Sequence, residues 1–470
     1  AGITLMSRAA NAAFDYLLEM WPEPGHIQVL CGTGNNGGDG FLVADIAHKR
    51  GIPVTILQLG DPAKIGGDAL LAREQAVANG VSVEAFAAGA LNGDGVVVDA
   101  MLGTGLGGDV RGDYPVAIEA VNACGAPVLA VDIPSGLCSD TGRVLGCAVR
   151  ADLTVTFIGL KRGLFTLQAP DCTGAVVFSD LGVPQEVYDT VPSALSRLEL
   201  DDLLERLPPR PATAHKGLYG RLLVVGGDYG MAGAVAMAAE AAARCGAGLV
   251  RAATRPEHVA AIVARTPEVM AAPVDSGDDF SPLLADADVL VIGPGLGQSP
   301  WSQHLAREAL ATGLPCVLDA DALNLLAAGK LGDPAAIASR DNIVMTPHPG
   351  EAGRLLGIAS AEVQADRFKA VSELQRRYGG VVLLKGNGTL VADAAELVLS
   401  DYGNPGMASG GMGDVLSGVI GALLCQHLSP LEAAATGVCL HGAAADIAAI
   451  EGERGLLATD LMAPMRSLLE

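Results

Sequence analysis

The chain has 470 residues, half of them hydrophobic and 18% charged, with a formal net charge of −23 and a pI near 4.6. That length exceeds one ordinary hydrophobic core, so two domains are expected, and the composition excludes a disordered chain. So acidic a surface repels nucleic-acid phosphate, and no run of Lys and Arg reverses this locally, so a nucleic-acid partner is disfavoured.

Aromatic residues are scarce while Gly numbers 61, a combination that suits α/β folds with many glycine turns. The nine cysteines form no CxxC pair and read as small core residues in a reducing compartment, not as a zinc site. The longest apolar runs are broken by Gly, Asp or Pro, so no membrane span is expected and the chain reads as soluble and cytoplasmic.

Residues 1–18 read as an amphipathic helix, not a signal peptide, and the absence of an initial Met leaves room for sequence ahead of Ala1. Strands are expected at 27–30, 54–59, 96–100, 128–131 and 153–157, several as continuous apolar runs typical of a parallel sheet covered on both faces. Four polar or Gly-rich loops, 32–40, 103–109, 132–136 and 159–163, follow these runs directly. Open α/β sheets bind ligands at the carboxyl ends of their strands, so the four loops define one candidate crevice.

The chain then changes character. Val183-Pro184, an acidic-basic helix over 193–207 and Leu207-Pro208-Pro209-Arg210-Pro211 follow in turn. Proline at this density resists helix and inner strand, which places a linker within about 185–212, between domains of 1–190 and 191–470.

The second half begins again with strand, glycine turn and helix: 221–225, 226–233 and an Ala-rich run to Cys245. Further strands at 289–292, 316–318, 343–345 and 381–384 lead into Gly293-Pro294-Gly295-Leu296-Gly297, Asp319-Ala320-Asp321, Thr346-Pro347-His348-Pro349-Gly350-Glu351 and Lys385-Gly386-Asn387-Gly388-Thr389. The last of these supplies a cation, two flexible glycines and a hydroxyl. In the stretch 404–418, Gly410 to Gly413 offer backbone N–H donors, and the apolar run 415–424 reads as a helix whose N-terminus points at the same anion. Asp414 sits at the mouth of that site. A carboxylate where phosphate should bind is electrostatically unfavourable and therefore has a task, taking a proton from a hydroxyl that attacks a phosphoryl group. No GxxxxGK[ST] occurs there, so the loop is not a Walker A motif.

The loop 410–418 with Lys385-Gly386-Asn387-Gly388-Thr389 resembles the ribokinase-like superfamily. With His215-Lys216-Gly217 and segments 293–297, 319–324 and 346–351 added, it is similar to the NAD(P)H-hydrate dehydratase branch. Gly34-Asn35-Asn36-Gly37-Gly38-Asp39-Gly40, segment 99–105, Asp132-Ile133-Pro134-Ser135-Gly136 and Gly159-Leu160-Lys161 make the first half resemble the NAD(P)H-hydrate epimerase domain. Together the matches cover nearly the whole chain in the order of the bifunctional nicotinamide nucleotide repair family. Met412 departs from the small Thr or Ser usual in the branch, and Ser417 stands where Ala is common.

The resemblance implies an α/β fold of two domains, an N-terminal Rossmann-like three-layer sandwich and a C-terminal ribokinase-like three-layer sandwich. It implies repair of hydrated NAD(P)H: epimerisation of R and S NADHX and NADPHX by the first domain, and ADP-dependent dehydration of the S form by the second, through a phosphorylated intermediate with release of AMP and phosphate. Asp414, Asp132 and Lys161 become the catalytic residues. Substrate in the first domain falls to Asn35, Asn36, Gly37, Gly38, Asp39 and Asp132, with Gly103, Thr104, Gly105, Leu106, Gly107, Gly108 and Asp109 around its phosphates. In the second, Ala234, Gly295, Gly297, His348 and Asp414 meet substrate, while Lys385, Gly386, Asn387, Gly388, Thr389 and Gly413 meet nucleotide. Asn36, Asp99 and Ser135 would hold K+, a hard cation suited to oxygen donors. Mg2+ would accompany the nucleotide, and a homo-oligomer is expected. Two rivals share some of these features: an ATP-dependent sugar or hydroxymethylpyrimidine kinase fused to a ligand-binding domain, and a non-enzymatic scaffold built on the first domain.

Overall fold

The computed structural model of the chain describes residues 2–191, 193 and 195–470, which form two compact units, Ala1–Ser193 and Ala194–Glu470.

The first unit carries seven strands, β1 (Ile27–Cys31), β2 (Val54–Gln58), β3 (Ser82–Ala85), β4 (Val96–Ala100), β5 (Val128–Val131), β6 (Leu153–Phe157) and β7 (Ala175–Ser179). They lie in the order β3-β2-β1-β4-β5-β6-β7, every pair parallel. Successive side chains serve opposite faces. Val29 and Val98 enter one core with Phe14, Leu17 and Phe41, whereas Leu30 and Val97 enter another with Ile118 and Val121. Helices Gly2–Met20, Asn35–Lys49 and Gly67–Ala78 pack together, and Tyr114–Ala123 feeds the other core, giving helix, sheet and helix in three layers. Strand order reverses between β1 and β4, which makes the carboxyl ends of these two strands the topological switch point.

The second unit carries β8 (Ser196–Arg197), β9 (Arg221–Val225), β10 (Leu249–Thr254), β11 (Met270–Pro273), β12 (Val289–Ile292), β13 (Cys316–Leu318), β14 (Ile343–Met345), β15 (Val381–Leu384), β16 (Thr389–Ala392) and β17 (Leu397–Ser400). Their order is β11-β10-β9-β12-β13-β14-β15-β16-β17-β8. The sheet is parallel from β11 to β15, and β16 and β17 then run as antiparallel hairpin strands. One face packs on helices Ala232–Arg244, Met412–Cys425 and Pro430–Ala448 through Leu222, Val224, Val291, Val317 and Leu383. The last of these helices, extended to Glu451, is long and apolar enough to cross a bilayer, but 72% of its apolar 18-residue window is buried inside the unit.

The five strands expected in each half form, with ends within one residue of those read. Strand β3 escapes sequence reading because it is a mostly exposed edge strand without a continuous apolar run, whereas β7, the other edge, carries the short apolar run Ala175-Val176-Val177-Phe178 that the reading passed over. Two readings need correction. The helix expected over 193–207 does not form: Ser196–Arg197 pairs along β17, and helix is confined to Leu200–Leu204 (Ala194 lies outside the described residues). Main-chain bonding to the sheet edge, carried on by the Leu198 N–H donating to Leu399 O at 2.8 Å, outweighs a marginal helical preference. The helix expected over 415–424 begins earlier, at Met412, so Asp414 stands within its first turn and not ahead of it.

Candidate active site

In the first unit the chemistry gathers where the sheet changes direction. Helix Asn35–Lys49 springs from the end of β1, and a Cβ on Gly37 would run into the carbonyl of Gly32, so only glycine lets the helix start this close to the strand. Asp99, on β4, is fully buried. It accepts from the Ser135 hydroxyl at 2.6 Å, the Ser135 N–H at 2.7 Å and the Met101 N–H at 3.2 Å. Burial raises its pKa to about 6 against the pull of those bonds. Both side-chain polar atoms of Asn36 are buried with no hydrogen-bond partner. Such an orphaned amide next to the Asp99 loop (a Cβ on Gly103 would lie 3.2 Å from Asn36 Cβ) suits an oxygen-seeking cation. The Ser135 hydroxyl is already engaged, since it also accepts from the Leu102 N–H at 2.8 Å, so it holds Asp99 in place.

At the end of β5, Asp132 has φ 67°, a left-handed conformation uncommon for a non-glycine residue. Its Oδ1 accepts from the Thr156 hydroxyl, the Phe157 N–H and the Lys161 ammonium, so the ion pair with Lys161 is fixed from β6. Lys161 also donates to Thr156 Oγ1 at 3.0 Å and Phe157 O at 2.9 Å. The two side chains are 17% and 19% exposed, buried enough to be oriented and open enough to meet a ligand. Asp39, in the second turn of helix Asn35–Lys49, feels the charges of this pair. Burial first and the Asp132 carboxylate second push its pKa well above the usual carboxylate range, with Lys161 pulling the other way. Asn35 is exposed beside it, Gly38 is buried, and of the loop after β4, Thr104, Gly105, Gly107 and Asp109 are exposed while Leu106 and Gly108 are partly covered.

In the second unit Lys385, at the end of β15, is the hub. Its ammonium donates to Asp319 Oδ1 at 2.8 Å and lies 4.0 Å from Glu351 Oε2. Burial alone would depress its pKa, but Asp319, Glu351 and Asp414 more than offset this and hold it above the usual lysine value. A Cβ on Gly413 would lie 3.1 Å from Lys385 Nζ and 3.8 Å from Asp319 Oδ2, so the start of helix Met412–Cys425 sits directly over the ammonium. Asp414 follows, pushed up to about 7 by burial and by Asp319, Asp321 and Glu351, with Lys385 opposing. Glu351 likewise rises to about 7, chiefly through burial.

The loop behind Lys385 is held from below. Arg367, 1% exposed, donates to the carbonyls of Leu384 at 3.2 Å, Lys385 at 3.2 Å and Gly388 at 3.1 Å. Gly386 has φ 138°, and a Cβ there would lie 2.7 Å from Arg367 Nη1. The Thr389 hydroxyl donates to Gly386 O at 2.9 Å, and Asn387 completes this turn. His348 caps helix Pro349–Leu356: its Nδ1 accepts from the Gly350 N–H at 2.9 Å while Glu351 accepts from the His348 N–H at 2.8 Å. Burial and the Lys385 charge lower its pKa, keeping it neutral. Where strand order reverses between β9 and β12, a Cβ on Gly295 would lie 3.0 Å from Ala234 Cβ, and the Gly297 N–H donates to Asp321 Oδ2 at 2.8 Å. Met412 does not reach into the anion site. Its side chain is 7% exposed in the hydrophobic core, and the Ser417 hydroxyl donates to Asp414 O at 2.8 Å.

The NAD(P)H-hydrate dehydratase family matches residues 222–466, and the family described as YjeF-related protein N-terminus matches residues 2–163. Bifunctional NAD(P)H-hydrate repair enzymes of Coxiella burnetii and Escherichia coli are 50% and 46% identical. Each alignment spans 99% of this chain, with 94% and 89% of those proteins covered. The chain belongs to the bifunctional NAD(P)H-hydrate repair enzyme family. Its second unit shares the ribokinase-like fold: an Enterococcus faecalis ribokinase-like protein superposes with TM-score 0.55 at 29% identity, over 59% of this chain and 96% of that one. An ADP/ATP-dependent NAD(P)H-hydrate dehydratase of Bacillus subtilis, co-crystallised with ATP/Mg2+, superposes with TM-score 0.50 at 31% identity, over 58% and 97%.

Sequence reading of this family member named the segments 319–324 and 346–351 but did not single out Asp319 or Glu351, the two carboxylates nearest Lys385. Asp319 follows β13 directly, the signal that could have found it. Arg367 gave none, because an Arg in the first turn of a polar helix reads as solvated. His441, buried with Nε2 unpaired and lowered to about 4 mainly by burial, was likewise hidden inside an apolar helix.

Proposed function

We propose that this enzyme repairs hydrated NADH and NADPH, epimerising the R and S forms in the first unit and dehydrating the S form in the second with ADP as phosphoryl donor. The observation that carries the reading is Asp414: a carboxyl raised to about 7, set in the N-terminal turn of a helix beside a partly buried lysine. A base for a hydroxyl wants a pKa near the operating pH, and the helix N-terminus with Lys385 suits a phosphoryl group.

In the dehydration, the C6 hydroxyl of the hydrate gives its proton to Asp414 as its oxygen attacks the terminal phosphorus of ADP, and AMP leaves. Hydroxide is a poor leaving group and phosphate a good one. The C6–O bond then breaks with the help of the ring-nitrogen lone pair, and loss of the C5 proton restores the dihydropyridine. Lys385 and the N–H groups from Gly411 to Gly413 neutralise the phosphoryl charge, and Arg367 keeps the 385–389 loop in shape. No group of three or more His, Cys, Asp or Glu among the described residues is placed to hold a metal, so Mg2+ would arrive with the nucleotide phosphates.

In the first unit Asp132 and Lys161 act on C6 of either epimer, and the exposed loop 103–109 takes the substrate phosphates. Asn36 and Asp99 would hold K+, which would order the loops after β1 and β4. Nine free cysteines accord with a reducing, cytoplasmic setting.

The test is incubation of hydrated NADH with the protein and ADP or ATP. Recovery of dihydronicotinamide absorbance only with nucleotide is expected. A stable phosphate ester without such recovery would favour a small-molecule kinase instead.

A further inference from the structure

Helices Ala320–Ala327 and Pro349–Leu356 start after β13 and β14 and pack together, and a row of polar groups joins them. The Gly297 N–H donates to Asp321 Oδ2 at 2.8 Å, Asn324 Nδ2 donates to Asp321 Oδ1 at 3.3 Å, and Arg354 Nε donates to Asn324 Oδ1 at 2.8 Å. Side chains on a helix lean toward its N-terminus, and Arg354 does so. A Cβ on Gly350, one turn back, would lie 3.8 Å from Arg354 Nη1 and 2.8 Å from His348 Cε1. The row therefore runs from Gly297 to His348 across the ends of β12, β13 and β14, while the Lys385 loop follows β15 on the far side. Arg354 is exposed, and beyond Asn324 it has no hydrogen-bond or ion-pair partner among the described residues. The carboxylates near it are engaged. Both oxygens of Asp321 are taken by Gly297 and Asn324, and Glu351 accepts from the His348 N–H with its Oε1 3.4 Å from His348 Nε2. Other basic groups around the site are occupied too: Lys385 by Asp319, Arg255 by Asp228 at 2.8 Å, and Arg367 by main-chain carbonyls.

We propose that Arg354 binds the diphosphate of the hydrated dinucleotide in the second unit; this rests on the reading of that unit given above. The bond from Nε to Asn324 fixes the plane of the guanidinium and leaves both Nη groups free. Such a fork matches two oxygens of a phosphate group, which a lysine ammonium cannot do. The need for it is electrostatic. The chain carries a net charge of −23, and Asp319, Asp321, Glu351 and Asp414 gather around the site, so an anionic substrate meets repulsion unless a cation receives it. Lys385 stands on the nucleotide side of that cluster, and Arg354 stands on the side of Gly297 and His348, where the hydrate lies.

The experiment measures ADP-dependent dehydration of the S hydrates of NADH and NADPH by the wild type, Arg354→Met and Arg354→Lys, with melting curves to verify folding. Arg354→Met is expected to raise KM for both hydrates by about 10–100-fold, more than it lowers kcat, and to leave KM for ADP within about twofold. Arg354→Lys keeps the charge without the fork and is expected to fall between the two. A KM for the hydrates that stays within about twofold in Arg354→Met would overturn the assignment. So would an equal rise in KM for ADP, which places Arg354 on the nucleotide, or a rise confined to the NADPH hydrate, which places it on the 2′-phosphate. A wild type that dehydrates neither hydrate would overturn the reading of the unit together with this assignment.

Discussion

Replacing Asp414 by Asn should separate activity from stability in opposite directions. Removing a general base lowers dehydration by about 10²–10⁴-fold, equivalent to about 3–5 kcal/mol of transition-state stabilisation. The folded protein, however, holds this carboxyl at about 7 against 3.8 for the ordinary group, about three units at roughly 1.4 kcal/mol each. The sign follows from proton counting. Between pH 4 and 7 the folded state binds the proton that the unfolded state has lost, so stability falls as pH rises through that window and stays reduced above it. Asp414→Asn is therefore expected to gain about 2–4 kcal/mol of stability at pH 8, after allowance for relaxation around the charge, and almost nothing at pH 4. Urea unfolding of the nucleotide-free protein at the two pH values measures this, followed by a probe in the second unit. In the wild type, dehydration should rise with pH through about 7, the ionised fraction going from about one tenth at pH 6 to nine tenths at pH 8. A variant within a few-fold of wild-type activity, or one with unchanged stability at pH 8, would refute the reasoning.

Arg367→Met should destabilise the second unit by about 2–4 kcal/mol, because the carbonyls of Leu384, Lys385 and Gly388 lose a buried charged donor, and should raise the KM for nucleotide more than it lowers kcat. Denaturation and steady-state kinetics check both parts. Lys161→Met should slow epimerisation by about 10²-fold or more while leaving ADP-dependent dehydration of the S hydrate at its wild-type rate, as a coupled assay of the two steps would show. Exchange of K+ for tetramethylammonium should slow epimerisation, and Asn36→Ala should make the rate insensitive to that exchange.

Much of the fold was legible because its inner strands are buried on both faces and so read as unbroken apolar runs, Val96-Val97-Val98 and Val381-Val382-Leu383-Leu384 being clear cases. What escaped was decided by tertiary contact. Ser196–Arg197 forms strand only because β17 offers an edge, and β3 survives with mostly exposed residues because β2 pairs with it. At the sites, residues lying in Gly-rich loops after strands could be read, since backbone close to a ligand demands glycine. Their partners could not: Asp319 and Glu351 act through proximity to Lys385 across β13, β14 and β15, a relation that sequence spacing does not carry. Met412 looked like a missing hydroxyl in the anion loop, yet its side chain turns into the core and leaves only main chain facing the site.

The central claim is that a kinase-like site makes a leaving group and not a lasting ester. S hydrate carrying oxygen-18 in its C6 hydroxyl, turned over with ADP by the Lys161→Met variant so that epimerisation does not exchange the label with water, tests it directly. Transfer of the phosphoryl group to that oxygen followed by C–O cleavage predicts that the label ends in inorganic phosphate, one atom per NADH regenerated. Label found in water, with unlabelled phosphate, would contradict the account.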